Sequence, residues 1–172
     1  MTEEGKTLIR KFEGCSLVAY KCPAGKWTIG YGSTFYADGS PVREGDKIDM
    51  ATANQLFDKV VEGFEKQVRL LLGTTLCTTL PSKAIDSLVS FAYNVGTGAF
   101  AKSTLLKKIK TDKNDVVAIE AEFMKWTKAN GKVLKGLERR RKEESNMYIQ
   151  AVLEQYSRME IYDRFIHKCN LK

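Results

Sequence analysis

The chain has 172 residues, 43% of them hydrophobic and 28% charged, with 28 Lys and Arg against 21 Asp and Glu for a formal charge of +7. That is ordinary globular composition and enough length for one respectable core, read as a single compact domain and a monomer. The polar opening MTEEGK is not followed by an apolar run of roughly 7–15 residues, and nothing approaches transmembrane length, so neither a secretory signal nor an integral membrane segment is expected.

In chain order, Leu8, Ile9 and Phe12 fall on one face of a first helix, and Gly14 stands where a C-terminal glycine would end it. Glu13 then lies in the last turn. The partial negative charge of a helix end, and any burial in a cleft, both favour a protonated carboxyl, the form a general acid needs. The plainer alternative is a solvated glutamate beside Lys11. Leu17 and Ala19, then the alternating Trp27, Ile29 and Tyr31, read as two strands, with Pro23-Ala24-Gly25-Lys26 supplying the turn. Closure at that turn predicts Cys22 opposite Trp27 and diagonally close to Thr28. Thr28 shares its strand face with Gly30 and Gly32, which leave room for a bulky ligand near the backbone.

Leu56, Val60, Phe64, Val68 and Leu71 recur at helical spacing and predict a helix over 51–72, about 30 Å long, ended by Gly73, the Thr-rich stretch 74–79 and Pro81. The remainder reads as helices. Ser82 is the expected N-cap of one carrying Ile85, Leu88, Val89 and Ala92 as far as Tyr93-Asn94, stopped by Gly96 and Gly98. Arg139, Arg140, Arg141 and Lys142 cannot share one helical face, so one or two of them point inward and the others into solvent. Ile149, Val152, Leu153, Tyr156, Met159, Tyr162 and Ile166 predict a terminal amphipathic helix that packs on the rest of the protein or serves self-association.

Cys15, Cys22, Cys77 and Cys169 form no C-x-x-C pair, and His167 is the only histidine, so no metal or other cofactor is expected and the thiols read as reduced. The positive excess, concentrated after residue 100, suits a polyanionic partner. Nucleic acid is the generic candidate. However, the chain has no zinc spacing, no aromatic-basic recognition motif and no phosphate-binding glycine loop, so no nucleic-acid partner is expected.

The string from Phe12 to Thr34, then SFAYNVGTGAFAKSTLL at 90–106 and GKVLKGLERRRKEE at 131–144, resembles the bacteriophage-type lysozymes, or endolysins, of glycoside hydrolase family 24. The three motifs occur in the family's order over roughly residues 3–155. The resemblance implies an α+β, mostly α, lysozyme-like fold. A small N-terminal lobe with a hairpin (about 1–50) would be joined by a long helix (about 51–72) to a helical C-terminal lobe (about 73–172). It implies a muramidase that cuts the β-1,4 bond between N-acetylmuramic acid and N-acetylglucosamine in peptidoglycan. Glu13 would be the general acid, with Cys22 and Thr28 on the attacking water.

The family commonly has aspartate where Cys22 stands and histidine where Ser33 stands. Cys22 therefore positions water with Thr28, acts as a thiolate, or marks weakened activity; a thiol of ordinary pKa, about 8.5, is only a few per cent thiolate at neutral pH. The resemblance also implies substrate contacts at Thr34, Tyr93, Asn94 and Ser103, although an aromatic on an apolar helix such as Tyr93 is equally a core residue. A basic residue of 139–142 would pair with Glu13. The protein would be made in the cytoplasm and reach the wall through a holin or export factor. The alternative from another class is a peptidoglycan-binding module with weak or no hydrolysis, which the residue at 22 keeps open.

Overall fold

The computed structural model describes residues 1–129 and 131–169, the side chains of 159–169 excepted. The expected Met159, Tyr162 and Ile166 contacts, His167 and Cys169 lie outside the described side chains. Helix α1 (Glu3–Glu13) starts at Thr2, whose hydroxyl accepts the Gly5 N–H, and carries Glu3 and Glu4 in its first turn and Arg10 and Lys11 in its last, matching the helix dipole. It stops at Gly14, whose φ of 69° sends the chain away as soon as Glu13 has been presented. Its first turn is clamped to the core. Asp86 Oδ2 accepts from the Thr2 N–H (2.9 Å) and the Thr2 hydroxyl (2.5 Å), and burial pushes the Asp86 carboxyl upward against those two hydrogen bonds.

Strands β1 (Ser16–Lys21) and β2 (Trp27–Gly30) pair antiparallel as Tyr20↔Thr28 and Lys21↔Trp27, with an irregularity between Ser16 and Tyr20. Cys22 consequently faces Lys26 rather than Trp27, as the Cys22 N–H to Lys26 carbonyl bond (2.9 Å) confirms. The reason is Gly25: at φ 77° it closes the loop over three residues, Pro23 to Gly25, instead of four. The diagonal proximity of Cys22 and Thr28 survives the shift, because Thr28 pairs with Tyr20, two residues from Cys22 on the same face. On its other edge β1 takes up the returning loop, through Ala19 N–H to Asp46 (2.9 Å) and Ile48 N–H to the Leu17 carbonyl (3.0 Å).

Helix α2 (Met50–Leu72) is N-capped by Asp49, which accepts the Thr52 N–H, and ends at Gly73. Ile29, Val42 and Leu56 form a small core that seats the hairpin on α2. The stretch 74–79 forms a short helix, α3 (Thr74–Thr79), instead of a loop. Helix α4 (Ser82–Val95) begins after Pro81, which occupies the cap position with no side-chain bond, so Ser82 is its first helical residue and not its cap. From Ala84 to Ala92 every α4 residue is buried, polar ones included, because α1, α2 and α8 surround it.

Helices α5 (Thr97–Lys102), α6 (Thr104–Thr111) and α7 (Val116–Met124) follow. A two-residue ribbon that periodicity missed, β3 (Lys128–Ala129) with β4 (Lys132–Val133), leads into α8 (Lys135–Cys169). Phe91 of α4 meets the edges of Phe123 (5.5 Å between centroids) and Trp126 (5.4 Å), fixing α4 against α7 and the segment after it.

At Gly5 helix α1 lies tight against α4: a Cβ there would stand 2.6 Å from the Asp86 Cβ, whereas one at Gly63 on α2 meets nothing within 4 Å. Gly5→Ala is expected to destabilise the fold by about 1–3 kcal/mol through overpacking. Gly63→Ala should stabilise it by roughly 0.5–1 kcal/mol through helix propensity. Chemical denaturation of the two variants beside the wild type reads both signs.

Candidate active site

Glu13, partly exposed at the end of α1, receives Arg140 Nη1 at 2.6 Å. The helix end repels its charge and the guanidinium attracts it, so two opposing fields meet at this carboxyl group. The ambiguity within the basic run is thereby settled. Arg140 (3% exposed) turns to Glu13, Arg141 (0% exposed) turns into the core, and Arg139 and Lys142 face solvent. Arg140 has each side of its fork occupied: Nε on Glu144 (3.0 Å), Nη2 on the Ser90 carbonyl (3.2 Å) and Nη1 on Glu13. Phe12, one residue before Glu13, lies under the Arg140 guanidinium at 5.5 Å.

On the hairpin, Thr28 is buried and donates its hydroxyl to the Lys26 carbonyl at 3.1 Å, while Cys22 is half-exposed. The backbone N–H groups of Lys26 and then Ala24 hold the Cys22 thiol below its ordinary value, with smaller help from the Thr28 hydroxyl and the Lys26 charge and against a little burial. Backbone donors aimed at a sulfur favour the thiolate, a signal absent from residue spacing. Ser33 is buried in a tight turn, exchanging both backbone hydrogen bonds with Ile29.

Tyr93 stands between hairpin and acid. Its hydroxyl donates to the Tyr31 carbonyl (2.8 Å), and its ring packs on Phe64 (5.0 Å) and Phe57 (6.2 Å). Burial, then the Glu13 carboxylate, push that phenol upward, with Arg140 pulling the other way and Tyr20 adding to the rise. Gly32, at φ 102°, passes beside it, where an added Cβ would stand 4.0 Å from the oxygen.

Asn94 is exposed and accepts from Arg141 Nη2 at 3.0 Å. Thr34 is half-buried, and its carbonyl accepts the Val42 N–H (3.0 Å) to pin the loop after the hairpin. Ser103 is buried at the junction of α5 and α6, where its hydroxyl donates to the Phe100 carbonyl (2.7 Å) and accepts the Leu106 N–H (3.1 Å). Thus Glu13, Tyr93 and Asn94 gather with the two arginines, Cys22 and Thr28 share the hairpin face, and the Ser103 hydroxyl is committed to capping a helix. Sequence reading passed over Glu144 and Ser90. The available signal was the spacing of Glu144 three and four residues beyond Arg141 and Arg140.

The phage lysozyme family model matches residues 10–144. The endolysin of Acyrthosiphon pisum secondary endosymbiont phage 1 is 38% identical over 152 residues, covering 86% of this chain and 97% of that protein. The endolysin of Bacillus phage PZA is 37% identical over 150 residues, 86% of this chain but 54% of its own length. Among solved structures, an endolysin from Escherichia coli O157:H7 phage FAHEc1 superposes with a TM-score of 0.74 at 32% identity, covering 86% of this chain and 92% of that one. With its helical body, the hairpin that follows Glu13 and these matches across most of its length, the chain belongs to the phage lysozyme family.

Proposed function

We propose that this chain is a muramidase of the endolysin type, hydrolysing the β-1,4 bond between N-acetylmuramic acid and N-acetylglucosamine in bacterial peptidoglycan with Glu13 as general acid. The observation that carries the reading is Glu13 at the end of α1, gripped by the buried Arg140 and leading directly into a hairpin on which Cys22 and Thr28 share one strand face. Glu13 in its protonated form gives its proton to the glycosidic oxygen as the bond to the anomeric carbon breaks. Arg140 then receives the carboxylate that this leaves behind. Water held by Thr28 and Cys22 attacks the anomeric carbon from the opposite face and gives up its second proton to the Cys22 thiolate or to bulk water as the new C–O bond forms, so the anomeric configuration inverts. The Thr28 hydroxyl, donating to the Lys26 carbonyl, keeps its lone pairs for a water hydrogen, and the Cys22 sulfur is a second acceptor. Thr34, Tyr93 and Asn94 would contact the glycan. Ser103 would do so indirectly, by shaping the start of α6.

A +7 chain suits a wall carrying free peptide carboxylates and anionic polymers. Among the described residues no helix is long and apolar enough to cross a membrane. The enzyme would meet its substrate through a holin pore or an export factor. A second reading, a peptidoglycan-binding module with weak hydrolysis, is favoured by one observation, the thiol at position 22 in place of a carboxylate.

Reducing-end release from purified peptidoglycan decides between the two. Glu13→Gln should lose at least about 100-fold in rate with the fold intact by circular dichroism. Wall binding without release by the wild type selects the binding module. Cys22→Ala should lose about tenfold or more if the sulfur orients water, and an undiminished rate removes it from the mechanism.

Because the Cys22 thiol is held low, its thiolate persists as the pH falls below the range of an ordinary thiol and is lost only through the lowered value. Iodoacetamide labelling of Cys22, followed by peptide mass spectrometry, should therefore show a midpoint below about 8.5, the value of a free thiol. A midpoint at or above that value contradicts the backbone N–H contacts.

A further inference from the structure

Arg140 grips Glu13 in the proposed reaction, but a group with no step in that reaction grips Arg140. Glu144, one turn further along α8, is wholly buried. Its Oε1 accepts from the Ser90 hydroxyl (2.7 Å), Arg140 Nε (3.0 Å) and Arg141 Nη2 (3.3 Å), and its Oε2 lies 3.0 Å from Arg141 Nε. Burial pushes this carboxyl upward; Arg141 and then Arg140, with the Ser90 hydroxyl, pull it back. Three donors converging on Oε1, with a guanidinium nitrogen 3.0 Å from Oε2, are the surroundings of a carboxylate. Arg141, lowered to about 10 by burial, stays charged at neutral pH. With Glu13 as its carboxylate the four groups Glu13, Arg140, Glu144 and Arg141 sum to zero charge, and with Glu13 protonated for the acid step they carry +1.

We propose that Glu144 is a positioning residue for the acid step, orienting the Arg140 fork so that Nη1 alone is left for Glu13 and cancelling the second guanidinium so that Glu13 does not face two positive charges. This rests on Glu13 being the acid. With Nε on Glu144 and Nη2 on the Ser90 carbonyl, the guanidinium plane has two fixed points, and rotation about its stem is stopped. Without the Glu144 charge, Arg140 and Arg141 would stand together with Glu13 as their only anion. The carboxylate form of Glu13 would gain, and the proton needed by the leaving group would be lost at lower pH.

The other groups facing this cluster do not supply a substitute. From α4 come Ser90, Asn94 and Tyr93, a hydroxyl, an amide and a phenol pushed upward. On α1, Lys11 pairs with Glu143, and Arg10 with Glu3. On α7, Glu120 pairs with Lys142 and Glu122 with Lys125.

The test is the pH profile of muropeptide release by Glu144→Gln, an isosteric loss of charge, beside the wild type and Glu144→Asp. The alkaline limb of kcat should move to lower pH by about half to one unit in Glu144→Gln and return toward the wild-type position in Glu144→Asp. A folded Glu144→Gln whose limb stays in place overturns the proposal. Ser90→Ala, a milder change that keeps all four charges, covers the case in which Glu144→Gln does not fold. Loosening the fork should lower kcat roughly three- to tenfold at unchanged KM, and an unchanged kcat overturns the positioning role. Glu13→Gln run in parallel separates the two ideas. If it keeps wild-type activity, the acid assignment falls and this inference with it; if it is inactive while the Glu144→Gln limb is unmoved, only the role of Glu144 falls.

Discussion

Four charges of alternating sign, Glu13, Arg140, Glu144 and Arg141, meet where α1, α4 and α8 come together, and the placement of the reactive carboxyl depends on that meeting. Taking such groups out of water is costly, and their mutual attraction repays it only when the hydrogen bonds are complete. Part of that set comes from α4, through the Ser90 hydroxyl and carbonyl and the Asn94 amide, while among the described residues Arg141 Nε and Nη1 and Glu144 Oε2 are held by charge alone, without a hydrogen-bond partner. Aromatic faces close the remaining sides, with Phe12 near Arg140 at 5.5 Å and Phe91 under Arg141 at 4.8 Å. Breaking one partner of a buried pair typically costs about 3–5 kcal/mol, enough to lock the three helices in one arrangement. The same network therefore sets both the packing of the helical body and the electrostatic surroundings of Glu13.

The hairpin is joined to that body by other means. Ile29, Val42 and Leu56 seat it on α2, and the hydrogen bond from the Tyr93 hydroxyl to the Tyr31 carbonyl ties the end of the hairpin to α4. Tyr93 is thus a core residue by its ring and a joint by its hydroxyl, and it feels the charge of Glu13. Cys22 and Thr28 belong to the hairpin itself. Their closeness follows from strand pairing alone, while the low thiol comes from the turn, whose backbone N–H groups point at the sulfur.

Local pattern carried the reading wherever a single element decides the outcome. Gly14 and Gly73 end helices because a left-handed residue is needed there, and each lies where the hydrophobic period stops. The helix at 50–72 was legible from its apolar stripe, although burial centres on Phe57, Val61 and Leu72, beside the expected Val60, Phe64 and Leu71. The short helix at 74–79 was not legible: its threonines read as a breaker, but it is held between α2 and Pro81 with backbone bonds such as Cys77 N–H to the Gly73 carbonyl (3.1 Å).

By itself, then, the sequence determined that Glu13 ends a helix, that Cys22 and Thr28 share a hairpin face, and that three motifs of the phage lysozyme pattern stand in order, because each rests on neighbours a few residues apart or on residue identity. Only the tertiary structure decided which arginine meets Glu13, that Glu144 and Ser90 orient it, that Tyr93 joins hairpin to helix and that the Ser103 hydroxyl serves a cap. The pairings of Arg140 and Tyr93 span 127 and 62 residues of chain. They arise where helices pack, and the choice among Arg139, Arg140 and Arg141 turns on a helix rotation of about 100° per residue that no spacing rule fixes without the neighbouring helix in place.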